Sequence, residues 1–133
     1  MKSVEILEVK KEDFKDLEKY LKKNNLLDDR GIWFAGYDDR MNGQNNAIAA
    51  NLFYGNRRMI VISIKDEVIY YLQNSKKGFN VNELGNINEK YKISIRRNLV
   101  HPSIEINTPD AEFIKILVNK NKKVVFEFKK LVK

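Results

Sequence analysis

Apolar and polar positions along this chain follow two periods, and the change between them falls at Gly31. Ahead of it, residues 11–25 set Phe14, Leu17, Leu21 and the adjacent Tyr20 three and four positions apart, with Lys and Glu between them, which predicts an amphipathic helix. Asn24, Asn25 and the run Asp28-Asp29-Arg30-Gly31 predict its end. Val4 and Ile6 alternate with polar neighbours and read as a short edge strand or a tethered arm.

After Gly31 the period is two. Ile32, Trp33, Phe34 and Tyr37 predict a first strand, followed by a polar loop from Asp38 to Asn46. Residues 46–55 fit a two-turn helix better than a strand: Asn46 can cap it, Ile48, Ala49, Leu52 and Phe53 share a face, and Gly55 can end it. Residues 58–65 and 67–73 are β-branched and aromatic runs joined at a tight Lys65-Asp66-Glu67 corner, a hairpin signal. Further strands are expected at 79–83, 90–97, 103–107 and 112–118, separated by turn residues that include Gly78, Gly85-Asn86, Pro102 and Thr108-Pro109-Asp110. Residues 120–133 carry Val124, Val125, Phe128, Leu131 and Val132 on one helical stripe, with Lys129, Lys130 and Lys133 where a helix dipole favours cations. A strand through Val124, Phe126 and Phe128 is the alternative there.

Composition narrows the class. The chain has 133 residues, 43% of them hydrophobic, which suits one domain with a real core and excludes a disordered tail. Its longest apolar run, residues 59–64 interrupted by Ser63, is far too short to span a membrane as a helix. Residues 1–11 mix Lys2, Glu5, Glu8, Lys10 and Lys11 with aliphatics, unlike a secretory or transit leader, so the expected location is the cytoplasm. The absence of Cys excludes disulfides and thiolate chemistry, and a single His leaves few metal or triad options. The net charge of +7 lies entirely in residues 76–133, which hold 13 basic and 6 acidic groups. The many Ile, Lys and Asn residues are also what an AT-rich genome would yield, a compositional source for part of that basicity.

Seven strands closed by an amphipathic helix, together with the run Ile60-Val61-Ile62-Ser63-Ile64-Lys65-Asp66-Glu67-Val68-Ile69-Tyr70-Tyr71, resemble the small bacterial members of the pleckstrin-homology-like (PH-like) superfamily. In those proteins a Thr-x-x-Arg-apolar corner precedes an aromatic third strand; here Ser63 stands at the Thr position and Glu67 replaces the Arg. Leu84-Gly85-Asn86-Ile87 before the fifth strand, and residues 120–131 with Phe128 at the closing helix, look similar too. The resemblance covers residues 31–133 and implies an α+β, mainly β fold: a seven-stranded antiparallel barrel capped by a C-terminal helix. Residues 1–30 would be an N-terminal helical extension of the same single domain, 1–133. The expected core is Trp33, Phe34, Ile60, Ile62, Ile64, Ile69, Ile93, Ile95, Ile104 and Ile106.

Catalytic patterns are hard to find. His101 precedes Pro102 without a triad spacing around it, Asp28-Asp29 and Asp38-Asp39 lack calcium-loop spacing, and no glycine is followed by the Lys-Ser or Lys-Thr of a phosphate loop. No cofactor or metal is expected, and no enzymatic activity. The basic pairs Arg57-Arg58, Lys76-Lys77 and Arg96-Arg97 are the candidate anion- or partner-binding residues, the first two sharing the open end of a PH-like barrel. Their plainer role is as solvated turn and edge residues. Tyr70, Tyr71, Phe79 and Tyr91, interleaved with Lys76, Lys77, Lys90 and Lys92, could stack bases, although core packing explains them better. The expected function is a cytoplasmic module for protein contacts or self-association, the role the resemblance implies. The alternative is a basic binder of lipid headgroups or nucleic acid.

Overall fold

The computed structural model describes residues 2–8 as backbone, and residues 16–38, 59–74, 78–97 and 101–132 in full. The expected helix at 46–55 and the basic residues Arg57, Arg58, Lys76 and Lys77 lie outside the described residues. The fold is mainly β. Among the described residues eight strands, β1 (Lys2–Glu8), β2 (Trp33–Asp38), β3 (Met59–Lys65), β4 (Val68–Asn74), β5 (Gly78–Asn86), β6 (Lys92–Arg96), β7 (Ser103–Asn107) and β8 (Phe113–Lys120), join two helices, α1 (Leu17–Lys23) and α2 (Val124–Leu131). All strand pairs are antiparallel, in the order β1-β5-β4-β3-β2-β8-β7-β6. The barrel-like sheet thus contains the seven expected strands and one more: β1 pairs with β5.

β2 is the strand on which the sheet turns. It bonds to β3 on one side and to β8 on the other, so it joins the meander β2–β5 to the meander β6–β8. Gly36 makes the second contact possible, because a side chain there would overlap the backbone of Leu117 and Val118.

Two cores lie on opposite faces of this sheet. Inside, Phe34, Ile60, Ile62, Ile64, Ile69, Ile104, Ile106, Ile114 and Ile116 pack with Val125 and Phe128 of α2. The rings of Phe34 and Phe128 meet edge to face, 5.3 Å between centres. Outside, Leu17, Tyr20 and Leu21 of α1, with Leu26 and Leu27, cover Trp33, Ala35, Val61, Leu72, Phe79 and Val81. β3 is therefore buried on both faces, the physical reason its sequence is an almost unbroken apolar run.

Among the described residues helix α1 begins at Leu17, within the expected span 11–25. Asp16 accepts the N–H of Lys19 as an N-cap, and the expected residues 11–15 lie outside the described residues. The indole N–H of Trp33 donates to Glu18 over 3.1 Å and ties α1 to the sheet. Trp33 was expected in a single core and belongs instead to the outer one. Ile93 and Ile95 are only partly buried, because among the described residues β6 ends the sheet and β7 alone flanks it.

Two boundaries move. β5 runs through Gly85-Asn86, expected as a turn, because Gly85 takes φ +151° and a bulge opposite Ile69 and Tyr70 absorbs the irregularity. β8 continues to Lys120 because its last residues pair with Ala35 and Gly36 across another bulge, and α2 starts only at Val124.

Candidate binding surface

Register places the side chains on the outer face of the second meander. Arg96, Ser103, Leu117 and Tyr37 lie opposite one another in one row across β6, β7, β8 and β2. Ser94, Glu105 and Lys115 form the next row, and Lys92, Asn107 and Phe113 the third. Glu105 and Lys115 approach to 3.9 Å. Tyr37 and Phe113, the large apolar side chains most exposed among the described residues, are both on this face.

β6 is at the end of the sheet order. Among the described residues no strand pairs with its outer side, so N–H and C=O groups of residues 92–96 face away from β7 without a strand partner. Lys92, Ser94 and Arg96 are exposed on the outer face, and Ile93 and Ile95 lean toward the inner core. Helix α2 runs beside the end of β6. There the Arg97 guanidinium sits 4.6 Å from the centre of the Phe126 ring, a cation–π contact that holds strand and helix together.

The expected pair Arg96-Arg97 is thus split, one side chain on the sheet face and the other over α2. Four of the six expected site residues, Arg57, Arg58, Lys76 and Lys77, fall outside the described residues. Tyr71 and Phe79 are fully buried and unavailable for stacking bases. Neither the edge of β6 nor the neighbouring Phe126 was singled out from sequence; the short alternation Lys92-Ile93-Ser94-Ile95-Arg96, with cations at both ends, was the available signal.

A cleft of about 370 Å³ opens elsewhere, between the end of β5 and the β7–β8 turn, with Glu83, Glu89 and Asp110 at its rim and Val68, Leu84 and Pro109 as apolar lining. The Thr108 hydroxyl donates to the Asp110 carboxylate and holds its pKa below the ordinary value. Burial and the Glu89 carboxylate raise the pKa of Tyr91, whose hydroxyl donates to the Asn86 carbonyl over 2.9 Å. Both shifts keep each group in its ordinary protonation state at neutral pH, a poor basis for proton transfer. Asp28, whose pair with Asp29 lacks calcium-loop spacing, accepts from Arg30 and from the N–H of Asp66. His101 is half-buried two residues before β7.

Among the described residues no group of three or more His, Asp or Glu side chains is placed to hold a metal ion, and no helix is long and apolar enough to cross a membrane. No family model, curated protein or solved structure matches this chain.

Proposed function

We propose that this protein is a non-enzymatic, PH-like binding module of a bacterial-type cytoplasm, which docks a polypeptide as an added strand along β6. Two observations support the PH-like reading. Strands β2–β8 follow the order 5-4-3-2-8-7-6, two meanders joined through the first and last strands, and a C-terminal helix packs into the resulting sheet. The observation that carries the docking reading is the β6 edge: backbone without a strand partner among the described residues, beside Phe126 of α2.

Hydrogen exchange combined with light scattering tests this reading. Protein that assembles, with itself or a partner, through this edge gains amide protection at residues 92–96 in step with its increase in mass. Assembly that leaves those amides exchanging as in the monomer would refute edge docking.

Anion binding remains a second reading because Tyr37 and Phe113 share a sheet face with Lys92 and Arg96, a combination suited to stacking bases and neutralising phosphates. Its signature is absorbance at 260 nm that co-elutes at low salt and is lost at high salt.

A further inference from the structure

Resting on the edge-docking reading, we infer that the β6 edge selects an extended segment in which acidic and apolar residues alternate, and that it rejects a second copy of itself. The charge arrangement carries the inference. Lys92 and Arg96 are exposed on one face of the strand, two positions either side of Ser94, and neither forms an ion pair among the described residues. Arg97 adds a third cation at the β6–α2 junction.

An added strand places residues directly opposite those of β6, with side chains on the same face. Its outward residues would meet Lys92 and Arg96, where a carboxylate gains a charge-assisted contact and a cation is repelled. Its inward residues would meet Ile93 and Ile95, which are only partly covered by the core, with Phe126 beside them. Apolar side chains there complete that burial. The two faces therefore require opposite chemistry at alternate positions.

A second β6 does not satisfy this requirement. The antiparallel register that pairs all five residues, Lys92 to Arg96, sets Lys92 against Arg96 of the other copy at both ends. Parallel pairing in register sets each cation against its own equivalent. Two like-charge pairs in one short ladder make self-pairing unfavourable, as cations on exposed edges commonly do.

The test uses the full chain and two blocked peptides, one alternating Glu with Val and the other Lys with Val. The Glu peptide is expected to protect the amides of residues 92–96, and to bind about tenfold or more tightly at low salt than at high salt. The Lys peptide is expected to give no protection. The double variant K92E/R96E should reverse this preference, and K92Q/R96Q, which removes charge without reversing it, should abolish it; thermal melts report that each variant is folded. Equal protection by both peptides would overturn the acidic preference and leave edge docking standing. Protection by neither peptide would overturn both. Protection of the sheet face around Phe113 by single-stranded oligothymidylate, with none at 92–96 from the Glu peptide, would overturn both in favour of nucleic acid.

Discussion

The carboxylate of Asp28 accepts the backbone N–H of Asp66 over 3.1 Å, linking the segment after α1 to the turn between β3 and β4. The same carboxylate receives Arg30 at 2.8 Å, and the N–H of Asp28 donates to the Ile64 carbonyl. One acidic side chain thus joins the α1–β2 connection to the tip of the central hairpin.

This arrangement makes stability depend on pH. Hydrogen bonds, chiefly from Arg30, hold the Asp28 pKa below its ordinary value of 3.8, so the folded state binds the proton less readily than the unfolded chain. The contribution is present in full above the unfolded pKa and is lost as pH falls through the folded value. Asp28→Asn is expected to cost about 1 kcal/mol at pH 7. The difference should shrink below about pH 4. Urea denaturation across this range measures it; a constant difference would remove Asp28 from the acid response.

The turn that Asp28 supports is strained. Asp66 and Glu67 have φ of +50° and +69°, the pair of positive values that a tight two-residue hairpin demands and that side chains disfavour. Glu67→Gly should therefore stabilise the protein by about 1 kcal/mol, read as a higher urea midpoint with an unchanged slope. A loss of stability would mean that the Glu67 side chain makes a compensating contact.

Ser63 is completely buried under the α1 side of the sheet, and its hydroxyl has no hydrogen-bond partner among the described residues. Removing an unsatisfied group spares its desolvation, so Ser63→Ala is expected to be neutral or stabilising by up to about 1 kcal/mol. Thermal denaturation checks the sign.

Phe128 of α2 is completely buried and packs against Phe34. Phe128→Ala should destabilise by about 3–5 kcal/mol, whereas exposed Lys129→Ala should change stability by less than about 0.5 kcal/mol. Equal, small effects in chemical denaturation would show that α2 does not close the inner core.

Much of the fold was legible where burial leaves a simple period. The hairpin at Lys65-Asp66-Glu67, the doubly buried β3 and the apolar stripe of α2 all follow from local pattern. What escaped depends on distant partners. Val4 and Ile6 could not reveal that their strand pairs with β5. The end of β8 was hidden because residues beyond Val118 are held by β2, not by their own sequence. Leu26 and Leu27 sit in a short connection whose burial arises only once α1 folds against the sheet. The basic surface was legible as composition but not as geometry: Arg96 and Arg97 are neighbours in sequence, yet strand alternation and the nearby α2 send them to different surroundings.

The position of β2 between β3 and β8 has a consequence for the order in which the chain can fold as it is made. The β2–β5 meander is complete once residues through Asn86 have emerged, but among the described residues its inner face is covered by later elements, β7, β8 and α2. β2 then still offers a bare edge, shaped by Gly36 for a strand not yet synthesised. During translation the nascent chain therefore exposes both an apolar surface and an unpaired strand, the two features that invite association between neighbouring chains. The elements that close both, β8 and α2, are made only after that meander.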